Sequence, residues 1–326
     1  MTIILGIDTS CYTTSFAVIS DENLLASVEI PLQVDSQKGG LRQSDGVFQH
    51  VKNLPIGMKQ INQQLFGLRL KEELSGIAVS SKPRPRSDSY MPVFVVGESY
   101  AETLAACLEI PLIKRSHQEG HIGAGVFYHG LEAKLNNDSL LVFHVSGGTT
   151  ELLLCESQEQ GSNYKIVVIG GTKDISAGQY IDRVGKELGL PFPGGPPLEA
   201  LAKGSDQRID IPISVSGQWI NFSGPETHTK RLIHKGDYSK EAIALGVQDS
   251  VLRALLKVLK NAITNYQVSQ VLFVGGVMSN YYIQKGISEG LKEQSIKLWF
   301  TPPQYSKDNA IGVAYMGVRQ FKKKCV

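Results

Sequence analysis

The sequence predicts an α/β protein with two lobes. Short β-rich runs alternate with longer stretches of helical period, which is the pattern of α/β architecture. The length of 326 residues favours two lobes over one very large domain. The stretches "SCYTTSF" (10–16) and "SGGTTEL" (146–152) also align, and each lies between two apolar strands. So short a match also arises by chance, but it favours a duplicated hairpin, one in each lobe.

The individual elements are predicted from hydrophobic period and from turn residues. The predicted strands are "TIILGIDTS", "TSFAVIS", "GIAVS" (76–80), "LLVFHVS", "TTELLLC" and "VLFVGG" (271–276). The predicted helices cover 44–66, 97–108, 177–190 and 240–265, and a last helix begins near Asp308. Strands and helices therefore alternate to the end of the sequence.

The composition indicates a globular protein and excludes strong bulk attraction to a charged partner. Hydrophobic residues make up 42% and charged residues 20%, and the formal net charge is +2. A local patch can still bind RNA. The two basic stretches are "SKPRPRS" (81–87) and "RQFKKKCV" (319–326), and each is more often a solvated loop or helix end than a phosphate site.

Targeting signals and cysteine spacing favour the cytoplasm. The start "MTIILGIDTSC" has no basic n-region, and no apolar run approaches the roughly 18 residues of a membrane span. The cysteines, Cys11, Cys107, Cys155 and Cys325, show no C-x-x-C spacing. They are expected to be reduced and mostly buried. We therefore expect a cytoplasmic protein without a membrane partner.

The stretch "SHQEGH" (116–121) predicts either a metal site or a polar first turn of a helix. Positions four apart lie on one helix face, so His117 and His121 could bind one ion. Glu119 lies about 200° round the helix from His117. It fits the capping box Ser116-x-x-Glu119, in which Ser116 is the N-cap. For the histidine pair alone, two surface histidines are the commoner outcome.

Glycine pairs follow two of the predicted buried strands. Gly147–Gly148 lies in the "SGGTT" turn, and Gly275–Gly276 lies where a strand leads into a helix. Glycine lets a backbone approach a phosphate closely, although close strand–helix packing also requires it. Two hairpins facing each other across a cleft could hold a polyphosphate or phosphoester from both sides. The set as a whole favours nucleotide binding.

Taken together, these motifs resemble the actin, sugar-kinase and Hsp70 superfamily, and within it one family closely. The sequence resembles the TsaD-type tRNA threonylcarbamoyltransferases, formerly called O-sialoglycoprotein endopeptidases or glycoproteases. The resemblance spans nearly the whole chain and rests on "LGIDTSC", "HQEGH", "HVSGGTTEL", "AGQYIDRVGKELGLPFPGGPPL", "NFSG", "VGGVMSN" and "SKDNAIGVAYMG". It implies a two-lobed actin-like ATPase-type fold with a nucleotide cleft between the lobes. The expected lobes are 1–110, on which helix 308–324 packs back, and 111–326 with an insertion at about 176–240.

The resemblance also implies the site residues. His117, His121 and Asp308 would bind one iron or zinc ion, with coordination positions left open for substrate. The adenine nucleotide (ATP, AMP or threonylcarbamoyl-adenylate) would contact His144, Val145, Ser146, Gly147, Gly148, Asp182, Gly195, Gly275, Gly276 and Asn280. Asp182 would accept hydrogen bonds from the ribose hydroxyls. The predicted catalytic residues are Asp8, Ser10 and Thr13 at the N-terminal turn.

The implied reaction is transfer of a threonylcarbamoyl or related carbamoyl group from the adenylate to adenine in tRNA, with helper proteins. The ion would act as a Lewis acid. Three differences from the family leave a second function open, that of a regulatory nucleotide-binding subunit. The family's S-C-D-E-T is "SCYTT" here, its S-G-G-H-T is "SGGTT", and its glycine-rich turn is replaced by the basic loop in 80–97. Tyr12 and Thr13 cannot serve as carboxylate bases. A metallopeptidase is the weakest alternative, because H-E-x-x-H is absent.

Overall fold

The computed structural model describes residues 1–10, 12–21, 23–34, 41–65, 67–131, 139–157 and 164–324. The chain divides into two compact units. Unit 1 combines Met1–Lys134 with Ser157–Tyr164 and Gln304–Val326, and unit 2 combines Leu135–Glu156 with Lys165–Pro303. Unit 1 thus continues past residue 110, where the sequence predicted a boundary, because the next strand pairs within the same sheet.

The described residues form the following elements. The strands are β1 (Ile3–Asp8), β2 (Thr13–Ser20), β3 (Asn23–Pro31), β4 (Gly76–Lys82), β5 (Leu112–Ser116), β6 (Leu140–Val145), β7 (Thr150–Ser157), β8 (Tyr164–Thr172), β9 (Ser214–Ser216), β10 (Trp219–Asn221), β11 (Gln270–Val274) and β12 (Lys297–Phe300). The helices are α1 (Gln43–Gln64), α2 (Leu70–Glu73), α3 (Pro92–Leu108), α4 (His117–His129), α5 (Ala177–Glu187), α6 (Gly195–Ala202), α7 (Ser223–Lys235), α8 (Lys240–Tyr266), α9 (Tyr281–Gly290), α10 (Pro303–Ser306) and α11 (Ile311–Lys324).

The two sheets share one strand order. The sheet of unit 1 has the order β3-β2-β1-β4-β5, in which β1, β2 and β3 are antiparallel and β4 and β5 run parallel to β1. In unit 2 the strands β8-β7-β6-β11-β12 repeat this order, and β10 and β9 extend the sheet beyond β8. The hairpins β1–β2 and β6–β7 therefore correspond, which confirms the duplication predicted from "SCYTTSF" and "SGGTTEL".

Each unit has its own apolar core. In unit 1 the buried side chains of β1, β2 and β4 pack against α1 and α3. In unit 2 the inward side chains of β6 and β11 pack against α5 and the long helix α8. Strands buried on both faces read as continuous apolar runs. The strands "IILGID" and "LLVFHV" are buried along their whole length, which explains why both sequences are almost entirely apolar.

Helix boundaries follow local capping chemistry. Ser116 caps α4 in the predicted capping box, and His117 is the first helical residue. Helix α3 begins at Pro92, five residues earlier than predicted, because proline is favoured in the first turn. Helix α11 begins at Ile311 because the Asn309 side chain accepts the Ile311 N–H at 3.0 Å. The helix is thus capped by the side chain of Asn309, and the Asp308 side chain is not used for the cap.

Two cysteines lie in the described residues. Cys155 is buried and Cys107 is exposed, and both are free thiols. Burial raises the pKa of the Cys155 thiol above its usual range. Cys11 and Cys325 lie outside the described residues. None of the helices in the described ranges is both long enough and apolar enough to cross a bilayer.

Candidate active site

The site in unit 1 lies where three parallel strands end. Strands β1, β4 and β5 run in one direction, so their carboxyl ends meet at the same edge of the sheet. Ligands of open α/β sheets bind at this edge. Asp8 ends β1, and α4 begins directly after Ser116 at the end of β5. The sequence therefore brings a buried carboxylate and the first turn of α4 together.

Three side chains form a compact cluster of ligand atoms. His121 Nε2 lies 2.9 Å from His117 Nε2. Asp308 Oδ1 lies 3.3 Å from His117 Nε2 and 3.5 Å from His121 Nε2. Tetrahedral ligands at about 2.1 Å from a zinc ion lie about 3.4 Å from one another. The predicted triad of His117, His121 and Asp308 therefore fits one ion of this size.

The exposure of the triad leaves one side of the cluster open. The His121 side chain is 4% exposed, whereas those of His117 and Asp308 are 13% and 22% exposed. Phe94 at the start of α3 covers part of the His117 ring, with ring centroids 6.1 Å apart. Three protein ligands with partial access are the arrangement of a metal site that also takes substrate.

Asp8 lies behind the triad and orients it. Its carboxylate is fully buried and accepts the Ser10 N–H at 2.6 Å and the Ser80 hydroxyl at 2.6 Å. Oδ2 also lies 3.0 Å from His117 Nδ1. A carboxylate on the far nitrogen of a ligand histidine fixes its tautomer and raises its basicity. Asp8, predicted as a catalytic residue, has all these contacts inside the protein, which suits a positioning role.

The charges of the cluster favour a cation at the two Nε2 atoms. Burial acts to lower the pKa of His117, but the carboxylates of Asp8 and Asp308 raise it to about 10. Burial and the neighbouring charge of His117 lower the pKa of His121. Burial acts to raise the pKa of Asp308, but hydrogen bonds from both histidines hold it well below its usual range. Two carboxylates thus create a negative field at these nitrogens, which suits a metal ion in place of the proton.

Glu119 takes no part in this cluster. Its Oε2 accepts the Ser116 N–H at 2.8 Å and the Ser116 hydroxyl at 2.7 Å, while the Ser116 hydroxyl accepts the Glu119 N–H. The residue is 7% exposed. Its carboxylate is therefore occupied by the capping box.

Of the other predicted catalytic residues, Ser10 lies in the β1–β2 turn and Thr13 is the first residue of β2. Ser10 is fully buried, and within the described chain its hydroxyl has no hydrogen-bond partner. Thr13 is half-buried and donates its N–H to the Ser10 carbonyl at 3.3 Å. Tyr12 is 40% exposed. The sequence reasoning missed Ser80, although its place at the carboxyl end of β4 was a usable signal.

In unit 2 the β6–β7 turn presents the predicted glycines. Ser146 N donates to the Thr149 carbonyl at 2.8 Å, and Thr149 N donates to the Ser146 hydroxyl at 3.1 Å, which closes the turn. Gly147 and Gly148 are exposed at its tip. His144 and Val145 are buried in β6. The exposed backbone is therefore the part of "HVSGG" that can meet a ligand.

Glycines bring neighbouring elements against this turn. Gly178 in α5 lies so close that an added Cβ would meet Gly147 Cα at 2.5 Å. Gly275 has φ +98°, and an added Cβ would overlap the Val145 carbonyl oxygen. Gly276 opens a short 3-10 turn with open space around its Cα. Gly178 was missed from the sequence, because a lone glycine in a helix carries no specific signal.

The remaining predicted nucleotide residues differ in their surroundings. Asp182 Oδ1 accepts the Gly194 N–H at 2.7 Å, and burial raises the pKa of this carboxyl. Gly195 follows as the first residue of α6, with open space at its Cα. Asn280 instead caps α9 by accepting the Ile283 N–H, and its amide donates to Gln248 Oε1 at 2.7 Å. Both ends of the Asn280 side chain are thus engaged within the protein.

Solved structures show the class of fold. Component A of (R)-2-hydroxyglutaryl-CoA dehydratase from Acidaminococcus fermentans aligns over all of both chains, with a TM-score of 0.58 and 16% identity. HypF from T. kodakarensis aligns over 98% of this chain and 48% of its own, with a TM-score of 0.63 and 15% identity. The protein therefore has the two-unit actin-like ATPase fold that the sequence predicted.

The family follows from sequence. The family model "TsaD: tRNA N6-adenosine threonylcarbamoyltransferase" matches residues 23–315. The tRNA N6-adenosine threonylcarbamoyltransferase of Thermosipho africanus (strain TCF52B) is 32% identical over an alignment of 332 positions, which covers 98% of this chain and 95% of that protein. The chain belongs to the TsaD family.

Proposed function

We propose that this protein transfers a threonylcarbamoyl or closely related carbamoyl group from an acyl-adenylate to adenine in tRNA. The observation that carries the proposal is the triad of His117, His121 and Asp308, oriented by Asp8, in a chain of the TsaD family. The triad would hold one iron or zinc ion, which when bound supplies Lewis acidity.

The residues around the triad would position it and exclude water. Asp8, held by Ser80 and the Ser10 N–H, keeps the proton of His117 on Nδ1, so that Nε2 presents its lone pair to the ion. Phe94 packs beside the His117 ring and limits access of solvent to it. The partly exposed carboxylate of Asp308 faces the open side of the cluster.

The adenylate would bind to the edge of unit 2. The exposed N–H groups of Gly147 and Gly148 would meet the phosphate, and Gly275–Gly276 and Gly195 would let the nucleotide approach the backbone. The Asp182 carboxylate keeps one oxygen beyond its bond to the Gly194 N–H for a ribose hydroxyl. We assign Asn280 an indirect part, because its side chain fixes the start of α9.

The acceptor and the partners are inferred from the family. The relatives are named tRNA N6-adenosine threonylcarbamoyltransferases, and so we propose tRNA as acceptor and the cytoplasm as location. Helper proteins of a threonylcarbamoylation complex would supply the adenylate or present the tRNA.

A second candidate is a regulatory subunit that binds the nucleotide without transferring the acyl group. The β1–β2 turn favours it, because Tyr12 and Thr13 stand where the family has carboxylates and because Ser10 is buried. A metallopeptidase fits the geometry poorly. Its general base would have to be Glu119, whose carboxylate is held by Ser116.

The test is complementation of a strain that lacks its own threonylcarbamoyltransferase, followed by nucleoside analysis of its tRNA. We expect N6-threonylcarbamoyladenosine with the wild-type chain and with Glu119→Gln, because glutamine also closes a capping box. We expect none with His121→Ala. Absence of the nucleoside with the wild-type chain, while adenylate binding persists, would favour the regulatory subunit. Loss of turnover in Glu119→Gln with metal retained would support the metallopeptidase function, with Glu119 as its general base.

A further inference from the structure

A basic loop is anchored beside the metal triad. It comprises residues 82–90, "KPRPRSDSY", from the last residue of β4 towards α3. The Pro83 carbonyl accepts the Gln118 N–H at 3.1 Å, next to His117. Lys82 pairs in register with Ser116, and the Ser81 hydroxyl donates to the Arg115 carbonyl. At the other end, α3 brings Phe94 against His117. Both ends of the loop are therefore fixed at the candidate metal centre.

Hydrogen bonds within the loop give it a defined shape. Arg84 N donates to the Ser89 hydroxyl at 3.0 Å, and Arg86 N donates to the Arg84 carbonyl at 2.8 Å. Two prolines restrict the backbone further. The cations of the loop thus extend from an ordered turn. Because the loop is bonded to the start of α4, this turn stays next to the triad.

The charge of the loop is strongly positive for its length. The sequence of the loop contains three cations, Lys82, Arg84 and Arg86, and one carboxylate, Asp88. Arg86 binds Asp88 through two hydrogen bonds, of 3.1 and 2.7 Å, and both side chains are 65% exposed. An exposed pair of this kind contributes little to stability, so the guanidinium can exchange its carboxylate for a phosphate.

We propose that this loop binds the phosphodiester backbone of the RNA acceptor and holds it next to His117, His121 and Asp308. The inference rests on the proposed function, because it takes RNA as the acceptor. Arginine recognises phosphate through two parallel hydrogen bonds, and several neighbouring cations release counterions from a polyanion. Tyr90 is 70% exposed at the end of the loop and offers a ring on which an unpaired base can stack. The loop is a positioning element and takes no part in bond making.

The test measures the Kd for an unmodified tRNA transcript by fluorescence anisotropy at several salt concentrations. The variant Lys82→Gln/Arg84→Gln/Arg86→Gln should raise Kd by about tenfold or more and lower the slope of log Kd against log salt by about 2 to 3. Because Lys82 and Arg84 are only half exposed, Arg86→Glu alone provides a second variant with less risk to folding. It should weaken binding and lower the slope by about 1 or more.

A matched control is Arg69→Glu. Arg69 is also an exposed arginine of unit 1 and pairs with an exposed carboxylate, Glu72, at 3.2 Å. We expect this control to bind tRNA like the wild type. The proposal is overturned if Arg86→Glu and the triple variant bind with wild-type affinity and salt slope, if Arg69→Glu weakens binding equally, or if the wild-type chain binds no tRNA at low salt.

Two further measurements separate this inference from the proposed function. The affinity for AMP, measured by calorimetry, should be unchanged in the loop variants. Loss of AMP binding with tRNA affinity retained would assign the loop to the nucleotide phosphate and overturn the proposal. If the wild-type chain binds tRNA through the loop but forms no modified nucleoside, the proposed transfer fails while the loop assignment stands.

Discussion

At the scale of single residues, Asp8 links the sheet to the candidate metal ligands His117, His121 and Asp308. It receives hydrogen bonds from Ser10 and Ser80 and holds His117 through its ring nitrogen. Burial acts to raise the pKa of Asp8, but the charge of His117 and these hydrogen bonds lower it. The residue therefore stays a carboxylate at neutral pH and keeps one side of the His117 ring fixed.

The variant Asp8→Asn should weaken metal binding without removing a ligand. The amide keeps the size of the carboxyl group but lacks its charge, and losing such an outer contact costs about 10 to 100-fold in metal affinity. Competition with a chelator, followed by metal analysis, measures this change. Asp45→Asn, at an exposed position in the first turn of α1, is the control and should bind metal like the wild type. Equal affinities for Asp8→Asn and wild type would contradict the role given to Asp8.

A second residue, His50, makes stability depend on pH. It is fully buried in α1, and its Nδ1 lies 2.8 Å from the Thr14 hydroxyl, which also accepts from Asn53. Burial lowers the pKa of His50 to about 4, against a smaller opposing effect of Asp8. The folded protein therefore keeps this imidazole neutral where an unfolded chain would bind a proton.

Stability should consequently fall as the pH drops from about 6.5 to about 4, by up to about 3 kcal/mol from this residue, and the contribution is fully present above pH 6.5. Urea unfolding across this range measures the slope. In His50→Gln the total loss of unfolding free energy over this pH range should be smaller by that amount, whatever the change in stability at neutral pH. The control His234→Gln, whose histidine side chain is 69% exposed, should keep the wild-type slope. An unchanged slope in His50→Gln would be the contrary result.

At the scale of elements, two glycine-rich helices position the triad. Helix α4 carries both histidines, and α11 begins just after Asp308. Gly312 of α11 faces Gly120 and Gly123 of α4, and any Cβ at Gly312 would overlap the Gly120 carbonyl oxygen. Close backbone approach therefore brings the ligands of the two segments together.

The variant Gly312→Ala should destabilise the protein by about 2 to 3 kcal/mol or more, because the packed helices must separate. Chemical denaturation and metal content should both report the change. Gly224→Ala in α7 is the matched control, since nothing lies within 4 Å of its added Cβ, and it should be neutral or slightly stabilising. A neutral Gly312→Ala would show that the helices are less closely packed than described.

The start of α4 allows a similar comparison. Ser116→Ala removes the capping hydroxyl and should cost about 1 kcal/mol, and because His117 is the next residue it should also weaken metal binding. Ser239 caps α8 in the same way, by accepting the Ala242 N–H at 3.1 Å. Ser239→Ala should lower stability by a similar amount and leave metal affinity unchanged. If both variants bind metal equally well, the cap at Ser116 has no role in positioning the metal ligands.

How far the sequence could predict this site depends on the range of each interaction. The capping box at Ser116 and the one-face pairing of His117 with His121 are local, and the structure confirms both. Asp308 came from the family resemblance, because no local pattern joins residues nearly 190 positions apart. The buried surroundings of Asp8 depend on tertiary contacts, which no short motif encodes. The cap that Asn280 makes at α9 is local, and an asparagine before a helix was a usable signal for it.

At the scale of the whole molecule, the two units present different chemical groups on the same strand order. In unit 1 the edge at which β1, β4 and β5 end carries imidazole and carboxylate groups, whereas in unit 2 the corresponding edge carries exposed glycine backbone. The first set suits a metal ion and the second a phosphate. The two units thus combine one strand order with different side chains and backbone at the corresponding edge.

The metal assignment is tested by the metal content of the chain purified anaerobically, compared with that of His121→Ala. We predict about one iron or zinc ion per wild-type chain, as three-ligand sites of this kind hold. In His121→Ala the ion should be lost while circular dichroism stays that of the wild type, because the apolar cores and not the metal hold the sheets together. His234→Ala, at an exposed histidine, should retain the ion. A wild-type chain without metal, or a His121→Ala variant that keeps it, would contradict the assignment of His117, His121 and Asp308.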